Sequence, residues 1–387
     1  IMFSAKLIGR VLAILLVTLY VIYHVWFHLT IPFWSKMPIY HKNNLAQIIT
    51  AQKHGMPDRD LRDNTIEHRP QLRKRYYRPQ QRFRTFRQLT EYDREHFWSL
   101  IHGEYLRGKG EEYLPTKEAV FNYLNAPHMD AYLSLNFIGG ELRGAVTSRA
   151  LDWWEGGDRH DAVQYVDFLC VRGADRGKGV AAEMIFTHYY RFGEQVSPVK
   201  GQVSLFKREG TLLSRLVRPL VEYQTLVFAT GGWRREIETL PKLRGTLRVL
   251  PVFDGSGSSS KDGKKGVEEE DSMKVAKKSR RNRGQQQLLG EIWAILRDHF
   301  PCAILPDPLY ADHLVGTPSP TRPLLLPYIV TDRKLIVGVL LFRDPHTQHR
   351  HINTIEFIGA WWRDGVLSGE EKRVMFLEAY GSLSSLM

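Results

Sequence analysis

The sequence predicts an α/β fold carrying an N-terminal apolar helix, and three observations predict it. A charge-free apolar run, Val11–Phe27, opens the chain. Helix and strand patterns alternate from Arg87 onward, and the order helix, hairpin, strand, helix occurs twice. The 387 residues suffice for two domains or one large fused one, and 43% hydrophobic with 25% charged residues is a globular balance. The net charge of +12 is concentrated between Arg69 and Arg87 and between Lys261 and Arg283, so the rest of the chain is nearer neutral. Basic clusters of this kind favour polyanions: nucleic acid, anionic lipid or nucleotide phosphates. Cys170 and Cys302 stand in unlike settings with no CxxC, which argues against a disulfide scaffold or zinc site and fits a reducing compartment.

The opening run VLAILLVTLYVIYHVWF continues through Leu29, Ile31 and Phe33, near the lower limit of about 17–25 residues for a spanning helix. Trp26, Phe27, Phe33 and Trp34 fit an interfacial aromatic belt. A signal peptide is disfavoured because no small-x-small cleavage site follows; a buried core helix is the plain alternative, and His24 and His28 favour it. The expectation is a single-pass transmembrane anchor over residues 1–32. The basic residues that follow it place the body on the cytoplasmic face.

Residues 33–88 read as a basic connector, with arginines interleaved among Tyr76, Tyr77, Phe83 and Phe86 in RPQLRKRYYRPQQRFRTFR. Two readings stand level here: a clamp on anionic lipid headgroups, and a connector wrapped over the domain. Nucleic acid comes a distant third.

An N-terminal α/β half is expected over 89–253. Thr90 with Asp93 marks a helix start, and the helix runs Asp93–Tyr105. A second helix spans Thr116–Leu124. Strands Ala131–Phe137 and Leu142–Ser148 flank a tight turn at Gly139-Gly140. After a loop WWEGGDRHD, a strand spans Ala162–Val171, a helix Lys178–Arg191, and further strands 199–206 and 221–229. Gly, Ser and blocks of like charge make residues 254–287 a linker. A C-terminal half, 288–387, follows: helix Leu288–Phe300, strands Leu324–Val330, Lys334–Phe342 and Thr354–Trp361, and helix Ser368–Tyr380.

The strongest chemical signal is Val166-Asp-Phe-Leu-Cys-Val171 followed by Arg176-Gly-Lys-Gly-Val-Ala181. It fits R/Q-x-x-G-x-G/A between a strand and a helix. Gly177 and Gly179 let backbone N–H groups approach an anion closely, the helix start favours negative charge, and Arg176 and Lys178 add charge-assisted contacts to phosphates. No GK[ST] follows, which excludes a Walker A loop, and no GxGxxG opens a βαβ unit. A basic surface turn is the plain alternative.

This turn resembles the pyrophosphate-binding motif of the GNAT superfamily. More narrowly, YVDFLCV…RGKGVA is similar to the N-myristoyltransferase segment that reads INFLCV, four residues, then RSKRVA. Phe33-Trp34-Ser-Lys-Met-Pro38 resembles that family's F-W-x-x-x-P, and the duplicated order of elements fits as well. The resemblance implies a duplicated GNAT-like acyl-CoA N-acyltransferase fold that uses myristoyl-CoA as co-substrate and a protein or peptide N-terminus as acceptor, with no permanently bound cofactor and no metal. It implies that Phe33 and Trp34 contact the CoA moiety, and that Arg176, Gly177, Lys178, Gly179, Val180 and Ala181 hold its phosphates. The backbone N–H groups of Phe168 and Leu169 would then form the oxyanion hole. Cys170 is expected to be a buried strand residue rather than a nucleophile.

Three departures bear on activity. The family delivers a C-terminal carboxylate to accept the amine's proton, whereas this chain ends GSLSSLM soon after a predicted helix, so Met387 is not expected to reach the thioester. The family's acidic loop becomes Arg107-Gly-Lys-Gly-Glu-Glu-Tyr113, and its Y-T-A becomes Leu205-Phe206-Lys207. Glu111, Glu112 and Asp167 are candidate substitute bases; for Asp167 a hydrogen-bonded structural carboxylate is the plain alternative. Two functions of different class follow: a membrane-tethered acyltransferase, and a catalytically inactive relative serving as a structural or interaction protein.

Overall fold

The computed structural model describes residues 2–30, 33–34, 70–107, 111–125, 130–196, 204–207, 226–241, 245–252, 286–300, 302–305 and 325–384. The chain opens with helix α1, Met2–Thr30. Its apolar side chains stand exposed, Leu16 at 59% and Trp26 at 56%. Among the described residues, however, no helix is long and apolar enough to cross a membrane. The transmembrane assignment is therefore corrected to an exposed apolar helix. The charge-free run Val11–Phe27 stands only at the lower limit of the ~17–25 residues a spanning helix needs, and Thr18, Tyr20, Tyr23 and His24 dilute its apolar character.

The described end of the basic connector, residues 70–88, packs on the body. Helix α2, Pro70–Tyr76, and strand β1, Arg82–Thr85, lie along it. Arg73 stacks over the rings of Tyr77 and Tyr190, Arg82 pairs with Asp93, and Arg78 pairs with Glu183. Arg73, Arg78 and Arg82 are thus engaged by the protein's own rings and carboxylates, as a connector packed on the domain requires.

Helix α3, Glu91–Glu104, starts as its sequence predicts, with the Thr90 hydroxyl accepting from the Asp93 N–H at 3.2 Å. Strand β2, Glu111–Tyr113, and helix α4, Lys117–Leu124, follow, α4 capped by Thr116. Strands β3 (Ala131–Ile138), β4 (Glu141–Glu155) and β5 (Asp158–Val171) form an antiparallel meander. Gly139 and Gly140, both at positive φ, make its first turn. The expected loop WWEGGDRHD is instead the tip of a long hairpin turning at Gly156-Gly157. Trp153 and Trp154 remain in the ladder because β8, Cys302–Leu305, pairs along β4's far end.

Helix α5, Val180–Gln195, crosses the sheet, and the short strand β6, Ser204–Phe206, pairs parallel with β5. The sheet order is β1-β3-β4-β5-β6. Against it Phe97, Ile101, Val120, Leu133, Leu135 and Phe168 form the main core. Residues 226–229, expected to be strand, are irregular, and 221–225 lie outside the described residues, as do most of the linker (254–285) and Met387.

After helix α6, Trp233–Glu238, comes a second sheet. Its strands are β7 (Leu247–Pro251), β9 (Leu325–Asp332), β10 (Leu335–Arg343) and β13 (Glu356–Trp362), in the order β13-β10-β9-β7. Helix α7, residues 286–299, packs Leu289 and Ile292 on Ile329 and Val339. Helix α8, Gly369–Ser384, buries Met375, Ala379 and Leu383 against Val330 and Leu340. Strands β11 (Thr347–His349) and β12 (Ile352–Asn353) form a three-stranded sheet with β2, order β12-β11-β2, and so tie the second half to the first.

Candidate functional site: a bulge, a glycine turn and an aromatic pair

Strand β5 is bulged where the chemistry was expected. Ala145 pairs with Cys170 and Thr147 with Asp167, so Phe168 and Leu169 together oppose only Val146. Phe168 takes a φ of +46°, rare for a residue with a bulky side chain. Core packing holds it there: its ring, 4% exposed, lies against Phe97, Tyr105, Tyr113 and Tyr123 at centroid distances of 5.3–6.3 Å. Thr147 fixes the other side by donating its hydroxyl to the Asp167 carbonyl at 3.1 Å. Leu169, by contrast, is 37% exposed. The recorded pairing of β5 with β6 ends at Val166↔Phe206, just before the bulge.

The Asp167 carboxylate is the most connected group at this bulge. Oδ1 accepts from Tyr105 Oη at 3.1 Å and from the Phe168 N–H at 2.7 Å, and Oδ2 accepts from Tyr123 Oη at 2.9 Å. Arg149 Nε donates to the Tyr123 hydroxyl, and its guanidinium lies over the Tyr123 ring. Burial first, and then the Asp167 charge, push the Tyr105 and Tyr113 phenols far above the ordinary tyrosine range. Tyr105 therefore acts as a neutral donor, and Tyr113 packs its ring against Tyr105 and Phe168. Of the two predicted oxyanion donors, the Phe168 N–H is thus already engaged by its neighbour's carboxylate. Of the other candidate bases, Glu112 pairs with Arg107 at 3.5 Å and Glu111 lies in β2 opposite His349.

The glycine turn follows at once. A single 3₁₀ turn, Gly173–Asp175, leads to Gly177 and Gly179 at φ of +78° and +84°, a conformation open to glycine without penalty. Gly179 is the N-cap of α5 and supplies no side-chain cap. The first N–H groups of α5 therefore point outward with the positive end of the helix dipole behind them. Asp175 anchors the turn from below: both its oxygens accept from Arg143 Nη1, at 3.0 and 2.9 Å, and this bond holds its carboxyl below the usual range.

Arg176, expected as a phosphate ligand, is also bonded within the protein. Its Nε donates to the Val171 carbonyl at 3.0 Å and its Nη2 to the Glu104 carbonyl at 2.9 Å. It ties the turn to the end of α3. Lys178, 65% exposed at its side chain and 3.5 Å from Asp175, is the motif's outward cation.

Phe33 and Trp34 meet this turn from far away in sequence. Phe33 is buried against Tyr76 and Phe186, and Trp34 stacks on Phe206 of β6 at 6.2 Å. Ala182 and Ile185, in the first turns of α5, join the same cluster. Residues 35–38 lie outside the described residues. The structure thus sets Phe33 and Trp34 against α5 from Ala182 to Tyr190, while Gly177–Ala181 lead into that helix and the bulge at Phe168–Leu169 lies on β5 before it. Sequence reasoning missed Tyr105, Tyr123 and Arg149; the one signal was an aspartate in an apolar strand, which demands buried donors. Among the described residues no group of three or more His, Cys, Asp or Glu is placed to hold a metal ion.

No protein-family model matches the chain, and no curated protein does. Solved structures with a similar course include Saccharomyces cerevisiae N-myristoyltransferase with bound myristoyl-CoA, at 14% identity and a TM-score of 0.41 over 69% of this chain and 60% of that one. Another is a conserved Enterococcus faecalis V583 protein described as a probable N-acyltransferase, at 12% identity and 0.37 over 79% and 63%. This chain spans about three fifths of the length of these structures.

Proposed function

We propose that this protein binds acyl-CoA and transfers the acyl group to an amine, most simply myristoyl to a protein N-terminal glycine. One observation carries the reading: Phe33 and Trp34 pack beside the uncapped N-terminus of α5, directly after a bulged strand. In this scheme the α5 N–H groups and Lys178 hold the CoA pyrophosphate, and Phe33 and Trp34 cover the CoA moiety. The thioester carbonyl lies at the bulge, where the N–H groups of Phe168 and Leu169 stabilise negative charge as the amine attacks. Membrane-face localisation and an internal duplication of the fold belong to the same proposal; the exposed apolar side chains of α1 motivate the first and the two sheets the second.

A second reading, a non-catalytic acyl-CoA-holding interaction protein, is favoured by the engagement of the Phe168 N–H by Asp167. Calorimetric titration of the full chain, held in amphipol, with myristoyl-CoA and acetyl-CoA tests the ligand. The expectation is tight binding of the first and weak binding of the second, with at least ~10-fold loss in Lys178→Glu and Gly179→Val variants, equivalent to about 1.4 kcal/mol. A folded protein that binds neither thioester would sink both readings.

A further inference from the structure

The feature that the acyl-transfer reading leaves unused is the carboxylate of Asp167. It occupies, at 2.7 Å, the backbone donor that the reaction needs. Two phenols orient it from the core, Tyr105 on Oδ1 and Tyr123 on Oδ2. A carboxylate accepts about four hydrogen bonds, and three are recorded here. The residue is only partly buried, beside the exposed Leu169. One acceptor position of an anion therefore remains for a donor arriving at the bulge.

We propose, resting on the acyl-transfer reading, that Asp167 withholds the Phe168 N–H from the thioester until a cationic acceptor amine draws it away, and then serves as that amine's base. With the carboxylate in place, an acyl thioester at the bulge meets an anion rather than a second oxyanion donor. Water, being uncharged, does not displace the carboxylate, so the bound thioester is spared hydrolysis. An ammonium group pairs with Asp167 and draws it off the amide, because a full positive charge attracts the carboxylate more strongly than the dipole of a neutral N–H does. The ammonium gives one proton to the carboxylate and attacks as the free amine. The C–N bond forms, the C–S bond breaks, and the CoA thiolate leaves with a second amine proton as CoASH. The proton on Asp167 returns to solvent. The acceptor class is therefore a primary amine that is cationic at neutral pH.

The test is release of free CoA thiol from myristoyl-CoA, with and without a glycyl peptide, in the full chain and in the variants Asp167→Ala, Asp167→Asn and Tyr105→Phe. Affinity for myristoyl-CoA and the thermal melt are measured alongside. Without peptide, D167A should release CoA at least ~10-fold faster than the wild type at similar affinity, within the ~10²-fold or more that one oxyanion donor contributes. D167N, which keeps an acceptor for the amide, should fall between the two. Y105F, which removes one restraint on Oδ1, should shift in the same direction by less. The ratio of release with peptide to release without it should drop in D167A. A merely structural role would lower release rather than raise it. Unchanged or slower release in both D167A and Y105F at retained affinity would overturn the proposal and leave acyl-CoA binding standing. Loss of myristoyl-CoA binding in the wild type itself would overturn the acyl-transfer reading and this inference with it. If D167A does not fold, Y105F decides.

Discussion

His188 is buried within α5, with Nδ1 2.9 Å from Ser134 Oγ and Nε2 2.8 Å from Ser148 Oγ. The two hydroxyls satisfy a neutral imidazole, one as donor and the other as acceptor, and tie α5 to strands β3 and β4. Burial lowers its pKa from the ordinary histidine value to about 3. Because the folded value is depressed, the unfolded chain binds the extra proton first. The stabilisation is therefore full above pH ~6.5 and is lost as pH falls towards about 3, at up to ~1.4 kcal/mol per pH unit. Urea midpoints at pH 7.5 and 5.0 should separate by more in the wild type than in His188→Asn; equal separations would refute this account. Cys170 shows the same effect of burial on a thiol: its pKa is pushed up to about 12, which leaves it a strand residue without nucleophilic character, as expected from its apolar neighbours.

At the scale of elements, turn chemistry decides what the pattern alone leaves open. The β3–β4 turn is legible because Gly139-Gly140 supplies positive φ without strain. The β9–β10 hairpin reverses through Arg333 and Lys334 at φ of +50° and +73°, between the paired residues Asp332 and Leu335. Neither residue advertises such a turn, so tertiary pairing of two apolar strands imposes it. Replacing the pair by Arg333→Asn with Lys334→Gly should stabilise the protein by about 1 kcal/mol, read as a rise in urea midpoint at constant slope. A fall would mean that the two side chains contribute more than their backbone strain costs.

For the whole molecule, two pairings join the halves, β8 on β4 and the three-stranded sheet of β2, β11 and β12. Gln348 of β11 pairs with Glu112 of β2 on one side and with Asn353 of β12 on the other, and the Leu114 N–H donates to the His346 carbonyl at 2.7 Å. Because β11 is the central strand, a proline there loses a ladder bond whichever way its N–H points. Gln348→Pro should cost about 1–3 kcal/mol and loosen Tyr113, whose ring lies 6.3 Å from Phe168. Urea denaturation followed by tyrosine near-ultraviolet dichroism would register both effects. An unchanged midpoint would show that the second half does not support the bulge.

Helices α1, α3, α4, α5, α7 and α8, the first hairpin and the glycine turn were legible in the sequence, whereas α2 and α6 were not. Each legible element depends on interactions within a few residues: a Thr90 cap, a Gly139-Gly140 reversal, glycines set between an apolar strand and an amphipathic helix. The long β4–β5 tip was not legible, because its pairing is completed by β8 from the distant second half. Nor was the role of Arg176, which is set by the end of α3 some seventy positions earlier. Asp167 shows the division most sharply. The sequence marks a carboxylate in an apolar strand, but its donors come from two helices and its own bulge. Only tertiary packing, by holding Phe168 at positive φ in the core, turns its amide towards that carboxylate.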